Sequence, residues 1–175
     1  ALWSIGVYGF VMWLPSIIKA APDMDIVKTG WFASVPYLMA IIGMLAASWY
    51  SDKTLNRKIF IWPLLLVGAI AFYCSYLVGT SNFMLSFILL IIAGAAMYAP
   101  YGPFFAIIAE ILPSNVAGGA IALINSFGAL GSFAGAYFVG YLHERTGSFE
   151  LSYIFMEGSL LLSAILTFIA VKGKS

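Results

Sequence analysis

Charge is what this sequence lacks. Eight basic and seven acidic side chains make up 9% of its 175 residues, against roughly 25% in a soluble domain. So few charges cannot cover the surface of a water-soluble body of this size, which excludes a soluble enzyme. The net charge of +1 leaves no basic footprint for nucleic acid. Cysteine is nearly missing too: Cys74, inside an apolar run, excludes a disulfide framework and a thiolate metal site. A single histidine, His143, excludes a His-pair metal motif. Neither metal nor cofactor is expected.

What is abundant is hydrocarbon. Hydrophobic residues reach 63%, against about 45–50% in soluble chains. A helix needs about 20 mostly apolar residues to cross a core of about 30 Å. Six runs meet that requirement, at 2–21, 31–50, 59–79, 83–111, 116–142 and 152–171. They lack the alternation over about 10 residues that marks barrel strands. The fold class expected is therefore all-α membrane, with six transmembrane helices joined by short polar connections at 22–30, 51–58, 80–82, 112–115 and 143–151. Six crossings put both ends on one side. Lys53, Arg57, Lys58, Lys172 and Lys174 share one face, and Lys19, Lys28 and Arg145 the other. The excess assigns the first face, with both ends, to the cytoplasm. No charged leader precedes the first run, so a cleaved signal peptide is not expected. Ala1 is not an initiator methionine, which fits a trimmed sequence or part of a longer membrane protein whose earlier spans are absent; the second is expected.

No Asp, Glu, Lys or Arg occupies the middle of a span, so this segment alone is a poor ion-coupled pump. Glu157 is the nearest exception and reads as an interfacial carboxylate. Glu110 closes the fourth span beside a basic connection and is expected to pair with a residue such as Arg57. Uncharged polar groups do go deep. An amide facing lipid costs several kcal/mol, so Asn125 must face protein or a cavity. On a helix Asn125, Gly128, Ala129 and Ser132 share a stripe, which fits a cavity wall or a close helix contact, with Ser126 next to it. Gly131 and Gly135 form a small-residue packing motif. In the fourth span Pro100 and Pro103 remove two backbone donors among Tyr98, Tyr101, Phe104 and Phe105, so the helix is expected to bend or break there. Interrupted helices point to transporter binding sites, though a plain kink with aromatic packing fits as well. Tyr8 and Trp13 add polar-tipped aromatics on the first span, which suit an interfacial belt equally well.

Four stretches carry a resemblance to the C-terminal half of a major facilitator superfamily transporter, in the anion:cation symporter branch of sugar-acid and phthalate permeases. Tyr8, Gly9, Phe10, Val11, Met12, Trp13, Leu14 and Pro15, followed by Gly30, Trp31, Ser34, Val35, Pro36 and Tyr37, resemble that branch's seventh and eighth helices. Asp52, Lys53, Arg57 and Lys58 resemble the short cytoplasmic loop motif, although Ser48 replaces its leading glycine and one residue is inserted before Arg57. Gly102, Pro103, Phe104 and Phe105, then Glu110, Ile111, Leu112 and Pro113, look like the tenth helix and its exit. The stretch from Ala122 to Phe133, with Thr146, Gly147 and Ser148 after it, is similar to the eleventh, except that Ala129 stands where asparagine is usual and Ala136 where proline is common.

The resemblance implies two inverted three-helix repeats, 1–81 and 82–175, with the N-terminal six-helix half absent. It places the first, second, fourth and fifth spans around a central cavity and the third and sixth against lipid. The implied activity is alternating-access uptake of a small organic anion, such as a sugar acid, with a co-transported proton, in a bacterial inner (plasma) membrane. Expected substrate contacts are Asn125 and Ser126 for hydroxyls, Tyr98, Tyr101 and Phe105 for the sugar face, and Tyr8 and Trp13 as gates. Expected partners are the anion, the proton, the bilayer and the missing half, and no nucleic acid. A buried carboxylate needs a cationic partner, which these spans do not offer, so the neutralising arginine and the proton-carrying acid are expected on the absent half. The alternative is a self-assembling six-span protein, channel-like or structural. A membrane-embedded enzyme would need paired acid–base residues, which His143 beside Glu144 does not supply.

Overall fold

The computed structural model describes residues 1–79, 81–148 and 150–172. Thr80 of the third connection and Lys174 lie outside the described residues, as does the side chain of Lys172. The helices are α1 (Leu2–Lys19), α2 (Ile26–Thr54), α3 (Trp62–Val78), α4 (Phe83–Tyr98), α5 (Tyr101–Ile111), α6 (Ser114–Thr146) and α7 (Glu150–Lys172). A single 3₁₀ turn, Arg57–Phe60, leads into α3. Together α4 and α5 form the fourth span, so six segments among the described residues are long and apolar enough to cross a membrane.

Several helices outrun the apolar runs that announce them. α2 starts at Ile26, five residues ahead of its apolar run, because Asp25 caps it: Lys28 N–H donates to Asp25 Oδ1 at 2.7 Å. It continues to Thr54, so Ser51 to Thr54 are helical and the connection proper starts at Leu55. α6 continues through His143 to Thr146 and stops at Gly147, whose φ of 66° is the left-handed geometry glycine adopts without a Cβ penalty. Hydrophobicity marks the part of a helix inside the membrane; caps mark where the helix ends.

The fourth span is broken where its prolines lie. α4 ends at Tyr98, α5 starts at Tyr101, and Ala99 and Pro100 fall between them. One carbonyl beside the break is held by protein: Trp3 Nε1–H donates to Met97 O at 3.0 Å. Inside hydrocarbon a loosened backbone group needs such a partner.

Packing links the two halves of the chain closely. α1 lies mainly against α6 and α7, α4 mainly against α3 and α2, and α3 against α7. The buried core runs between them through Phe10, Leu14, Phe72, Leu90, Met97 and Met156. Phe10 meets Phe72 edge-on at 5.4 Å, and Phe72 stacks on Tyr153 at 4.6 Å. Glycines set the closest approach. A Cβ on Gly135 would lie 2.5 Å from the carbonyl oxygen of Ile5, so α1 and α6 touch backbone to backbone there. α2 and α6 keep long apolar faces exposed, with Leu38, Ile42 and Leu45 on one and Leu123, Phe127 and Leu130 on the other.

Candidate functional site

The most polar of the spans converge on one concavity. α6 contributes Ile124, Asn125, Gly128, Ala129 and Ser132, which includes the whole stripe read from helical spacing. α1 contributes Trp3, Ser4 and Tyr8, and α5 contributes Tyr101, Phe104 and Phe105; Ala1 completes the lining. The volume is about 330 Å³, at the small end of the range of ligand pockets. α2, expected among the lining helices, supplies none of these residues.

The aromatic part is a ladder anchored on the helix break. The Trp3 ring lies 4.2 Å from that of Tyr101 and meets Phe104 edge-on at 5.5 Å. Tyr101 stacks with Tyr98 at 5.6 Å and with Phe105 at 6.4 Å. Because α5 restarts at Tyr101, that ring and Phe105, four residues on, share one face. The break sets the direction of this face separately from that of α4.

The polar part has unclaimed capacity. The Asn125 side chain is exposed on the concave face and makes no hydrogen bond among the described residues. An amide has two donor hydrogens and a carbonyl acceptor, so Asn125 can serve a polar ligand in both senses. Ser132 spends its hydroxyl on Gly128 O at 3.0 Å. No charged side chain lines the concavity, so the surface can hydrogen-bond and stack but cannot neutralise a charge.

Three expected site residues lie elsewhere. Ser126 is exposed but absent from the lining, with its hydroxyl donated to Ala122 O at 3.0 Å; one residue past Asn125, it points about 100° away around the helix. Tyr98 stands behind Tyr101 in the ladder. Trp13 packs 5.6 Å from His143 and against Gly140, more than a turn beyond Tyr8. Trp3 and Ser4 were missed by the sequence reading. Ser4 could have been found, since it lies one helical turn before Tyr8 on the same face. Trp3 could not, because its role depends on reaching α4 and α5.

At the end of the bundle that carries the 51–58 connection, Arg57 joins two helices. Its Nη1 lies 2.5 Å from Asp52 Oδ1, while Nη2 and Nε lie 2.6 and 2.7 Å from Glu110 Oε1. The ends of α2 and α5 are thereby tied through one guanidinium, and Glu110 has the partner expected for it. Lys53 Nζ sits 3.5 Å over the Trp49 ring. Glu157 is half-buried on α7, which contributes nothing to the concavity. Among the described residues no group of three His, Cys, Asp or Glu side chains is placed to hold a metal ion.

Comparison with known proteins gives consistent results. The family model of the Major Facilitator Superfamily matches residues 1–136. A protein of Agrobacterium vitis named "Putative tartrate transporter" is 30% identical over 170 residues, which covers 97% of this chain and 37% of that one. A quinolone resistance transporter of Acinetobacter baumannii is 30% identical over 166 residues, covering 95% and 38%. A probable galactarate/D-glucarate transporter of Escherichia coli is 28% identical over 174 residues, again covering 95% and 38%. The chain thus spans under two fifths of the length of these relatives, all of them named as transporters and not as enzymes.

Proposed function

From the premise that the chain belongs to the major facilitator superfamily, as part of an integral multi-pass membrane transporter, we propose that it forms the C-terminal half of a secondary carrier for a small organic anion. A polyhydroxylated acid such as a sugar acid fits best. The observation that carries this reading is the concavity in which Asn125 and Ser4 face Trp3, Tyr8, Tyr101 and Phe105 with no charge among them. Amide and hydroxyl groups suit the hydroxyls of a sugar acid, and aromatic faces suit its C–H surface. The tartrate and galactarate/glucarate names of relatives support the same class.

A carboxylate in such a surface lacks a counter-charge, and an unpaired buried charge is strongly unfavourable. The neutralising arginine and the proton-carrying acid therefore belong to a second six-helix bundle, with which this half completes the site. The exposed apolar faces of α2 and α6 support that closure, since six helices alone leave them uncovered. The two halves would rock about the substrate, driven by proton symport in a bacterial inner membrane, with both ends of this chain in the cytoplasm. Within the chain, 1–81 and 82–175 act as inverted three-helix repeats. The reciprocal packing of α1 on α6 and of α4 on α2 supports that division.

Counterflow in proteoliposomes containing the full-length protein tests the proposal, with tartrate, glucarate and galactarate as candidates and a quinolone, which also carries a carboxylate, as comparison. Exchange of at least one sugar acid, enhanced by an inward proton gradient, is expected. Asn125→Ala should raise the half-saturation concentration about fivefold, the worth of one net hydrogen bond. Exchange unaltered by that substitution removes Asn125 from the site, and no exchange of any acid ends the substrate assignment. The self-assembling alternative predicts instead a stable homo-oligomer of this chain with the faces of α2 and α6 protected.

A further inference from the structure

We infer that Tyr37 is a positioning residue that grips α1 by the one carbonyl which that helix's own proline sets free, and thereby fixes Tyr8 in the concavity; the inference rests on the transport reading above. Pro15 lies inside α1 and has no N–H. The carbonyl four residues before it, that of Val11, therefore has no helical partner. In hydrocarbon an orphaned carbonyl needs a donor from elsewhere. The Tyr37 hydroxyl supplies it, donating from α2 to Val11 O at 3.1 Å.

The donor stands on a firm base. Pro36, next to it, is buried, and a Cβ on Gly94 of α4 would lie 3.4 Å from the Pro36 side chain. α2 is thus seated on α4 where Tyr37 leaves it. α1, by contrast, is packed mainly on α6 and α7 and only lightly on α2. At a lightly packed contact, one directional bond sets how α1 stands relative to α2. Val11 is one turn from Tyr8 on the same face of α1, so holding the carbonyl fixes the height and rotation at which Tyr8 enters the concavity. Because no helical amide competes for Val11 O, the contact can form and break without unwinding a turn. That suits a helix which must change its lean while a carrier alternates.

A four-protein cycle in the full-length carrier tests this. Tyr37→Phe keeps the ring and removes the donor. Pro15→Ala gives residue 15 an N–H that takes Val11 O back into the helix and makes the hydroxyl redundant. In the Pro15 protein, Tyr37→Phe should raise the half-saturation concentration for counterflow of the transported sugar acid about fivefold and change the maximal rate less than about twofold. In the Pro15→Ala background the same substitution should move the half-saturation concentration by less than about twofold. Equal shifts in both backgrounds overturn the inference, as does no shift from Tyr37→Phe alone. Thermal unfolding of the same four proteins separates the two readings. Coupled melting midpoints with no uptake sink the transport reading and keep the Tyr37–Val11 grip. Uptake indifferent to the whole cycle sinks the grip alone.

Discussion

Gly135→Ala tests the contact on which the concavity is built. The new methyl would lie 2.5 Å from Ile5 O and 3.0 Å from Ile5 Cα, whereas carbon atoms in favourable contact stand about 3.5–4.0 Å apart. Both obstacles are backbone, so no side chain can swing aside, and α1 must move off α6 by about 1 Å. Overpacking of this kind costs about 1–3 kcal/mol. Alanine returns about 0.8–1 kcal/mol through its better helix propensity. Gly158 supplies the control, because a Cβ there meets nothing within 4 Å and Gly158→Ala gains the propensity without the clash. The two variants should therefore differ by about 1–3 kcal/mol, the overpacking cost alone, with Gly135→Ala the less stable. Thermal unfolding of the full-length protein in detergent, with both variants side by side, measures the difference. A Gly135→Ala protein that melts at or above Gly158→Ala would refute the backbone contact between α1 and α6. Since α1 carries Ser4 and Tyr8 and α6 carries Asn125, the same displacement should weaken counterflow.

Three further outcomes are expected. Ser126→Ala, beside the sensitive Asn125, should alter half-saturation by no more than about twofold, because its hydroxyl is already held by its own helix and faces away from the concavity; a loss as large as that of Asn125→Ala would place Ser126 in the site. Arg57→Lys should lower the melting temperature at low salt and converge on the parent at high salt, because an ammonium cannot bridge Asp52 and Glu110 as the planar guanidinium does; a salt-independent loss would mean that packing, not charge, holds the corner. Trp3→Phe keeps an aromatic ring but removes the donor to Met97 O, and should cost about 0.5–1.5 kcal/mol in thermal unfolding; an unchanged melting temperature would show that the break needs no outside partner.

Some of the site could be read without coordinates because it depends on position within a single helix. Asn125, Gly128, Ala129 and Ser132 share a face by helical periodicity alone, and all four line the concavity. Pro100 and Pro103 remove their donors wherever the helix lies, and the break falls between Tyr98 and Tyr101. Glu110 lies near the end of its span, Arg57 lies in a basic connection, and the two opposite charges pair. The residues that fall outside the concavity do so for a common reason. Ser126 stands beside Asn125 in sequence yet a quarter-turn or more away in space, and membership of the site depends on how α6 is rotated against α1. Trp13 shares α1 with Tyr8 but lies past the concavity, beside His143. The starts of α2 and α7 ahead of their apolar runs were hidden because hydropathy reports burial in lipid and not where hydrogen bonding begins.

By itself the sequence determined the class of molecule. With too little charge for water and enough apolar residues for six crossings, a backbone in hydrocarbon has no choice but to close its hydrogen bonds within helices. It also determined where those helices are weak, since a proline lacks its donor in any surroundings. Only the tertiary structure decided which side chains reach the backbone at and beside the weak points: Tyr37 reaches Val11 O, which Pro15 frees, and Trp3 reaches Met97 O next to the break. It also decided which polar groups stay unclaimed on the concavity, as Asn125 does. Those outcomes depend on how helices distant in sequence are rotated and spaced against each other, to within the length of a hydrogen bond, and no local pattern along the chain encodes that.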